Sequence, residues 1–407
     1  MEKLILFVAY KKSINKTDEE YILESLKELE ELVDTAGAEI CGTMVQKVES
    51  INPSLYLGKG KVEELKQLIE DTEATGVVCD EELSPVQMKN LAEILDTKVL
   101  DRTLIILDIF ATRAKSSEGK VQVEMAQLKY QYSRLAGTGS MLSRQGGQIG
   151  NRGPGEKKLE LDKRHIRARM DVLKQEIENM EKHRSLLRQR REKDNVPIVA
   201  IVGYTNAGKS RLLNALSGSD VYVQNQLFAT LDPTTRKVIL PEGSEIRLVD
   251  TVGFIRKLPH HLIKAFYSTL EEARYADILL HVIDASNPHM DTHIEVVNST
   301  LEKLGIKDVP VITVYNKIDK TDKPIPDDGI HISAKAKINL NALLEEIETI
   351  LFENMKEFKA LIPYKDSHIV AYCQANAEKL EVDYQESVVN VSGFIHYSKF
   401  HKLAPYI

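Results

Sequence analysis

Apolar and polar positions along the first hundred residues switch repeatedly between a strand-like and a helical period. LILFVAY, residues 4–10, is a continuous apolar run that stops at Lys11-Lys12 and predicts a buried strand. YILESLKELEELVDTAG keeps its apolar residues on one helical face and ends at a glycine. EICGTMVQKV is a strand rich in β-branched residues, VEELKQLIEDTEAT is helical, and GVVCD is a short buried strand. SPVQMKNLAEIL opens on a Ser-Pro helix start, and TKVLD reads as a strand. This alternation predicts a parallel or mostly parallel sheet covered by helices.

The period changes after residue 112. Val121, Met125, Leu128, Tyr132 and Leu135 are spaced 4, 3, 4 and 3 apart. Leu159, Ile166, Met170, Leu173, Ile177, Met180 and Leu187 continue in the same seven-residue frame, interrupted once by Arg184. Two such helices zip into an antiparallel hairpin or pack separately on a neighbouring domain. Between them, GTGSMLSRQGGQIGNRGPG (residues 137–155) reads as a loop with no Asp or Glu. A basic, glycine-rich tip on a rigid stalk suits folded RNA, whose backbone charge supplies most of the affinity. Arg144, Gln145, Gln148, Asn151, Arg152, Lys157 and Lys158 are the candidate RNA contacts. The plainer reading is a connector beside a solvated charged helix.

EKDNVP, residues 192–197, is a linker with a proline stop. Strands and helices alternate again from Ile198 to about residue 354, and the tail carries strand-like VVNVSG and IHYSKF and a helix near CQANAEKL. The expected organisation is a multidomain α/β protein. It comprises an α/β domain (1–112), a helical hairpin (113–194), a second α/β domain that carries the phosphate-loop motif (195–355) and a small α/β appendage (356–407).

A net charge of -7 excludes a uniformly basic surface, so any nucleic-acid contact must be local. Cys41, Cys79 and Cys373 lie far apart, with no metal-ligand spacing, which points to reduced thiols in the cytoplasm. The first apolar run is too short to span a membrane. Gly58-Lys59-Gly60-Lys61 at a helix start is a phosphate contact or, more plainly, a turn with exposed lysines. His260 and His261 lack spaced metal partners and read as relay or packing residues.

The chemistry is carried by IVAIVGYTNAGKSRLLNAL. Gly203, Tyr204, Thr205, Asn206, Ala207, Gly208, Lys209 and Ser210 form a P-loop between a strand and a helix. Its amides wrap phosphates, Lys209 reaches the β- and γ-phosphates, and the Ser210 hydroxyl binds Mg²⁺. Arg211 follows in the helix. NKID supplies Asn316, Lys317, Ile318 and Asp319 at a strand end. A carboxylate there accepts from guanine N1–H and the N2 amino group, donors that adenine lacks. Ser333, Ala334 and Lys335 follow, with the Ala334 amide offered to guanine O6. LVDTVGF supplies Asp250 for Mg²⁺ through water, then Thr251, Val252 and Gly253, whose amide meets the γ-phosphate. FATLDPTTR, with Phe228, Ala229, Thr230 and Leu231, supplies a switch threonine that closes on Mg²⁺. Thr230 is the choice, with Thr234 and Thr235 as rivals.

These motifs, with LPHHLIKAF, LGKGKVEEL, LSRQGG and IGNRGPGE, resemble the HflX GTPases over nearly the whole chain. The resemblance implies GTP binding and hydrolysis to GDP, and binding of the 50S subunit and the 70S ribosome. It also implies contact of the hairpin tip with 23S rRNA near the peptidyl-transferase region, and splitting of idle or stalled ribosomes. The tip departs from the commoner family pattern at Gln148, Asn151 and Lys157-Lys158, and the P-loop departs at Arg211.

Phe254 follows Gly253 where several such enzymes carry a glutamine that holds the attacking water. Lys209, Thr230, Gly253 and Asn206 are then the candidate catalytic groups. Asn206 helps hold a potassium ion that neutralises charge between the β- and γ-phosphates, or it braces the loop; both readings stand. Hydrolysis is expected to be slow alone and completed by the ribosome. The alternative is a GTP-switched RNA-binding or assembly factor without splitting activity. Nothing in the sequence favours an oligomer over a monomer.

Overall fold

The computed structural model describes residues 1–13, 16–145, 154–191, 196–218, 227–258, 272–353, 355–396, 400 and 402–407. It divides into two compact units. The first is Met1–Met180 with Gln224–Asp232 and Ile255–Tyr267; the second is Glu181–Val223, Pro233–Phe254 and Ser268–Ile407.

In the first unit, β1 (Lys3–Lys11), β2 (Glu39–Val48), β3 (Gly76–Cys79) and β4 (Lys98–Asp101) form a parallel sheet of order β2-β1-β3-β4. Helices α1 (Lys16–Thr35), α2 (Lys59–Thr72) and α3 (Pro85–Leu95) fall where the periodicity places them. Ser84 starts α3 through a reciprocal capping box with Gln87. Ile5, Phe7, Val77 and Cys79 pack on Val62, Leu65 and Leu91 of α2 and α3, which buries one sheet face.

One helix was not legible in the pattern. α4 (Arg102–Arg113) follows β4 directly and is capped by the Asp101 side chain. It buries Ile105, Ile106, Leu107, Ile109 and Phe110, so its apolar residues surround it rather than forming one stripe.

The hairpin is antiparallel. α5 (Ser117–Gln145) and α6 (Pro154–Arg191) are tied by the Arg169 fork on Glu124, 2.6 and 2.8 Å, and by Arg167 on Tyr132. Along α6, Leu173 is buried, and Ile166, Met170, Ile177, Met180 and Arg184 are partly buried, as the seven-residue frame predicts. The expected loop from 137 to 155 is shorter, because α5 continues to Gln145. Gly137 and Gly139 each cost about 1 kcal/mol in a helix, and a helix already nucleated propagates through them. Carboxylates sit at the strand ends of this unit. Asp101 accepts from Tyr130 Oη and Arg134 Nη2, 2.9 and 2.8 Å, which pins α5 to the sheet edge.

The second unit holds a six-stranded sheet of order β10-β9-β8-β5-β7-β6. Its strands are β5 (Ile198–Gly203), β6 (Thr234–Ile239), β7 (Glu245–Asp250), β8 (Ile278–Asp284), β9 (Val311–Asn316) and β10 (Ile330–His331). All pairings are parallel except β6 with β7. Helices α7 (Lys209–Ser217), α8 (Met290–Lys303) and α9 (Leu340–Glu353) complete it, with Val199, Ile201, Leu280, Val282, Val314 and Leu343 in the core.

In the tail, β11 (Met355–Pro363), β12 (Ala377–Tyr384) and β13 (Val388–His396) form an antiparallel sheet of order β11-β13-β12, packed on α10 (Ser367–Asn376). The expected helix at CQANAEKL ends at Asn376, and AEKL begins β12 instead. VVNVSG and the start of IHYSKF are one strand, β13. The register of β12 shifts between Glu378 and Glu381, with Lys379 at φ +47°. Such a bulge breaks the alternation that would mark a strand in sequence.

Candidate nucleotide site

The site is built on the turn from β5 into α7. Gly208, at φ +98°, lets the loop swing into the helix, and Lys209 is the first helical residue. Lys209 is buried, and its Nζ donates to the carbonyls of Gly203 and Tyr204, 3.1 and 2.8 Å away. Burial lowers its pKa from 10.5 to about 8, opposed by the charge of Asp250. The Ser210 hydroxyl donates to Asp250 Oδ2 at 2.7 Å, and Asp250 is the last residue of β7. Thr251 turns away and donates to the Ile201 carbonyl, 2.7 Å. Val252 is buried, and Arg211 is exposed on α7.

Gly253 lies against the loop. A Cβ there would fall 2.8 Å from Thr205 Cγ2, 2.9 Å from Thr205 Cα and 3.0 Å from Lys209 Nζ. The next residue extends the contact through the backbone: Phe254 N–H donates to the Gly203 carbonyl, 3.1 Å, and Thr205 N–H donates to the Phe254 carbonyl, 2.7 Å. The Phe254 side chain is buried. Within the loop, Thr205 Oγ1 is buried with no hydrogen-bond partner among the described residues, and Asn206 is exposed at φ +60°.

The second cluster lies at the end of β9. Asn316 Nδ2 donates to the Ala207 carbonyl, 2.8 Å, and its Oδ1 accepts from the Ala334 amide, 3.0 Å. One side chain thus braces the P-loop and the SAK turn together. Lys317, at φ +66°, pairs with Asp284 Oδ2 at 2.7 Å, and Ile318 follows in a short 3₁₀ turn. Asp319 is exposed and accepts from Ser333 Oγ at 2.6 Å, a bond that holds its carboxyl below the usual range. Ser333 Oγ also accepts from Ala336 N–H, 3.0 Å, while Lys335 is exposed.

Three participants carried no motif. Asp284 ends the strand ILLHVID and fixes Lys317. His293 of α8 stacks on Tyr204, with ring centroids 3.7 Å apart and planes within 2°. His281 in β8 is driven down to about 4 by burial and then by the Lys209 charge, so it is neutral at pH 7. The alternation of β8, which turns His281 away from Leu280 and Val282, was the available signal.

Phe228, Ala229, Thr230 and Leu231 belong to the first unit. Phe228 and Leu231 are buried, Thr230 is half-buried and Ala229 is exposed. Thr234 and Thr235 open β6, in register with Asp250 and Val249. The side chains of Arg144, Gln145, Gln148, Asn151, Arg152, Lys157 and Lys158 lie outside the described residues, as do His260 and His261. Among the described residues, no group of three or more His, Cys, Asp or Glu side chains is placed to hold a metal. Also among them, no helix is long and apolar enough to cross a membrane.

A phosphate-binding loop joined to a strand-end carboxylate with guanine-type partners defines a P-loop nucleotide hydrolase of the GTPase class. Family models match in three consecutive stretches: GTP-binding GTPase N-terminal over residues 23–111, GTP-binding GTPase Middle Region over 113–191, and 50S ribosome-binding GTPase over 198–317. A GTPase HflX of Lacrimispora saccharolytica is 51% identical over 99% of this chain and 96% of its own length. One from Caldanaerobacter subterraneus subsp. tengcongensis is 54% identical over 90% and 86%. A GTP-binding protein of Sulfolobus solfataricus, solved with GDP, superposes with a TM-score of 0.46 at 27% identity, covering 87% of this chain and 99% of that one. The chain belongs to the HflX family of GTPases. It binds guanine nucleotide and hydrolyses GTP.

Proposed function

We propose that this GTPase binds the large ribosomal subunit near the peptidyl-transferase region, is stimulated by it, and separates idle or stalled ribosomes into subunits. The observation that carries the reading is Phe254. Its side chain is buried, and no amide or carboxylate stands at this position to hold a water. A site so arranged needs a group from outside, and the family description over residues 198–317 names the 50S ribosome. The hairpin supports the same reading: its stalk is two long helices tied by the Arg169–Glu124 fork, and its tip sequence is basic and free of carboxylates.

Within the site, Lys209 is assigned to the β- and γ-phosphates and Gly253 N–H to the γ-phosphate. Asn316, Asp319 and the Ala334 amide are assigned to guanine. Ser210 and Asp250 present a hydroxyl and a carboxylate 2.7 Å apart, a hard oxygen pair that fits Mg²⁺. Thr230 is the switch ligand assigned to the same ion. Mg²⁺ there would neutralise charge on the phosphates. The exposed carbonyl of the Asn206 side chain suits a potassium ion beside them.

The test is GTP hydrolysis with and without purified large subunits, in potassium and then in sodium. Strong stimulation is expected, with part of it lost in sodium. Absence of stimulation in both salts sinks the splitting reading and moves the weight to a GTP-switched RNA-binding or assembly factor. Such a factor binds immature particles without separating mature ones. Competition by GDP but not ADP checks the guanine assignment separately.

A further inference from the structure

We infer that Asp232 is a positioning residue that joins the first switch segment to the start of the hairpin, so that a change in either is felt by the other. Its carboxylate accepts from the Lys115 and Ser116 amides, 2.9 Å each, and from Ser116 Oγ at 2.5 Å. Ser116 Oγ in turn accepts from Gly119 N–H, 2.9 Å. α5 begins at Ser117, so these donors lie where no intrahelical carbonyl can reach them. A negative charge there is also favoured by the helix dipole. The fit is close: a Cβ on Gly119 would lie 2.7 Å from Asp232 Oδ1.

The same segment has a second anchor. Phe228 is buried at φ +53°, with its ring edge-on to Phe110 of α4 at 4.6 Å. Leu231 is buried as well. Thr230 therefore sits between a ring held by α4 and a carboxylate held by α5. One residue, Leu231, separates Thr230 from Asp232, a span of at most about 7 Å. Pro233 stiffens that span by restricting the residue before it.

Switch segments change path between the triphosphate and diphosphate states. With so short a tether, movement of Thr230 must load or release the cap of α5. By reciprocity, displacement of α5 from its far end must bias the position of Thr230. The inference rests on residues 227–232 being the first switch of the GTPase; it does not need the ribosome to be the partner.

The experiment compares full-length wild type with Asp232→Ala by hydrogen–deuterium exchange of the first α5 turn. Each is loaded with GDP and then with a non-hydrolysable GTP analogue, without ribosomes. In wild type, exchange should differ between nucleotides by about fivefold, the scale of a lost helix cap. In the variant it should be fast in both states, with GDP affinity kept within about twofold, a shift of less than one decade in the binding constant. Asp232→Asn, which keeps an acceptor and loses the charge, should fall between. Nucleotide-insensitive exchange in wild type overturns the inference, as does an undiminished difference in Asp232→Ala. Loss of GDP binding in the variant also overturns it, by making Asp232 a general stability residue. Hydrolysis with large subunits is the second readout, and Asp232→Ala should lose the stimulation while keeping the basal rate. Stimulation equal to wild type overturns the coupling. A wild type that is not stimulated fails the ribosome reading alone and leaves the exchange result to decide this one.

Discussion

Lys209 Nζ donates to the Tyr204 carbonyl across 2.8 Å, so the cation proposed for the phosphates is held by its own loop. Burial lowers its pKa to about 8 against 10.5 unfolded. The folded value lies below the unfolded one, so between them the unfolded chain binds more protons. The cost of burying this cation is therefore full below pH 8 and is relieved as the pH rises towards 10.5. Phosphate restores the charged form. Nucleotide binding one unit above pH 8 should then take up a fraction of a proton, and one unit below it almost none. Calorimetry in buffers of different ionisation enthalpy reads this directly, and equal uptake at both pH values would contradict it.

The Thr205 hydroxyl is buried and has no partner among the described residues. A buried polar group without a partner costs about 1–3 kcal/mol. Thr205→Val keeps the shape and removes that cost. The nucleotide-free protein should be unchanged in stability or gain up to about 1 kcal/mol in urea unfolding. A loss of similar size would show that the hydroxyl is satisfied in solution.

Two ion pairs of the first unit should differ sharply in weight. Asp80 is fully buried and accepts from Ser25 Oγ at 2.7 Å, Arg102 Nη1 at 2.9 Å and Lys257 Nζ at 2.5 Å. Asp80→Ala removes the buried partner of two cations, which keep Glu28 and Glu81 respectively, and should cost about 3 kcal/mol. The Arg169–Glu124 fork has better geometry, but its side chains are 48% and 39% exposed. Arg169→Ala should cost less than about 1 kcal/mol. Chemical denaturation of both variants checks the order.

Gly253→Ala places a methyl group inside contact distance of Thr205 Cα, 2.9 Å, which is backbone and cannot swing aside. GDP binding should survive, because Ser210 and the guanine cluster are untouched and the Lys209 amine, 3.0 Å from the new methyl group, is the far end of a flexible side chain. Single-turnover GTP hydrolysis should fall by about a hundredfold, the usual penalty for a misplacement of about 1 Å. A rate within a few-fold of wild type would mean that this glycine does not approach the phosphate.

The parts legible in the sequence are those with a period or a spacing. β2 falls on EICGTMVQKV, and the helical seam survives through α6, including its interruption at Arg184. The P-loop and NKID lie where a strand ends. α4 was hidden because it is buried nearly all round, and β12 because a bulge breaks its alternation. The partnerships of Asp284 with Lys317 and of His293 with Tyr204 were hidden for another reason. They join residues far apart in sequence, which no local pattern can bring together.

The interval from Asp250 to Phe254 acts as a ruler. One end is set by Ser210 Oγ on the Asp250 carboxylate, the other by two backbone bonds from Phe254 to the loop. What is kept constant is the length between the Asp250 carboxylate and the Gly253 amide, the two groups proposed to face the metal and the phosphate. An exchange of the side chain at 254 leaves that length unaltered, whereas one residue more or fewer would displace Gly253 from the loop. The position tolerates a phenyl ring because what it contributes to the site is its main chain.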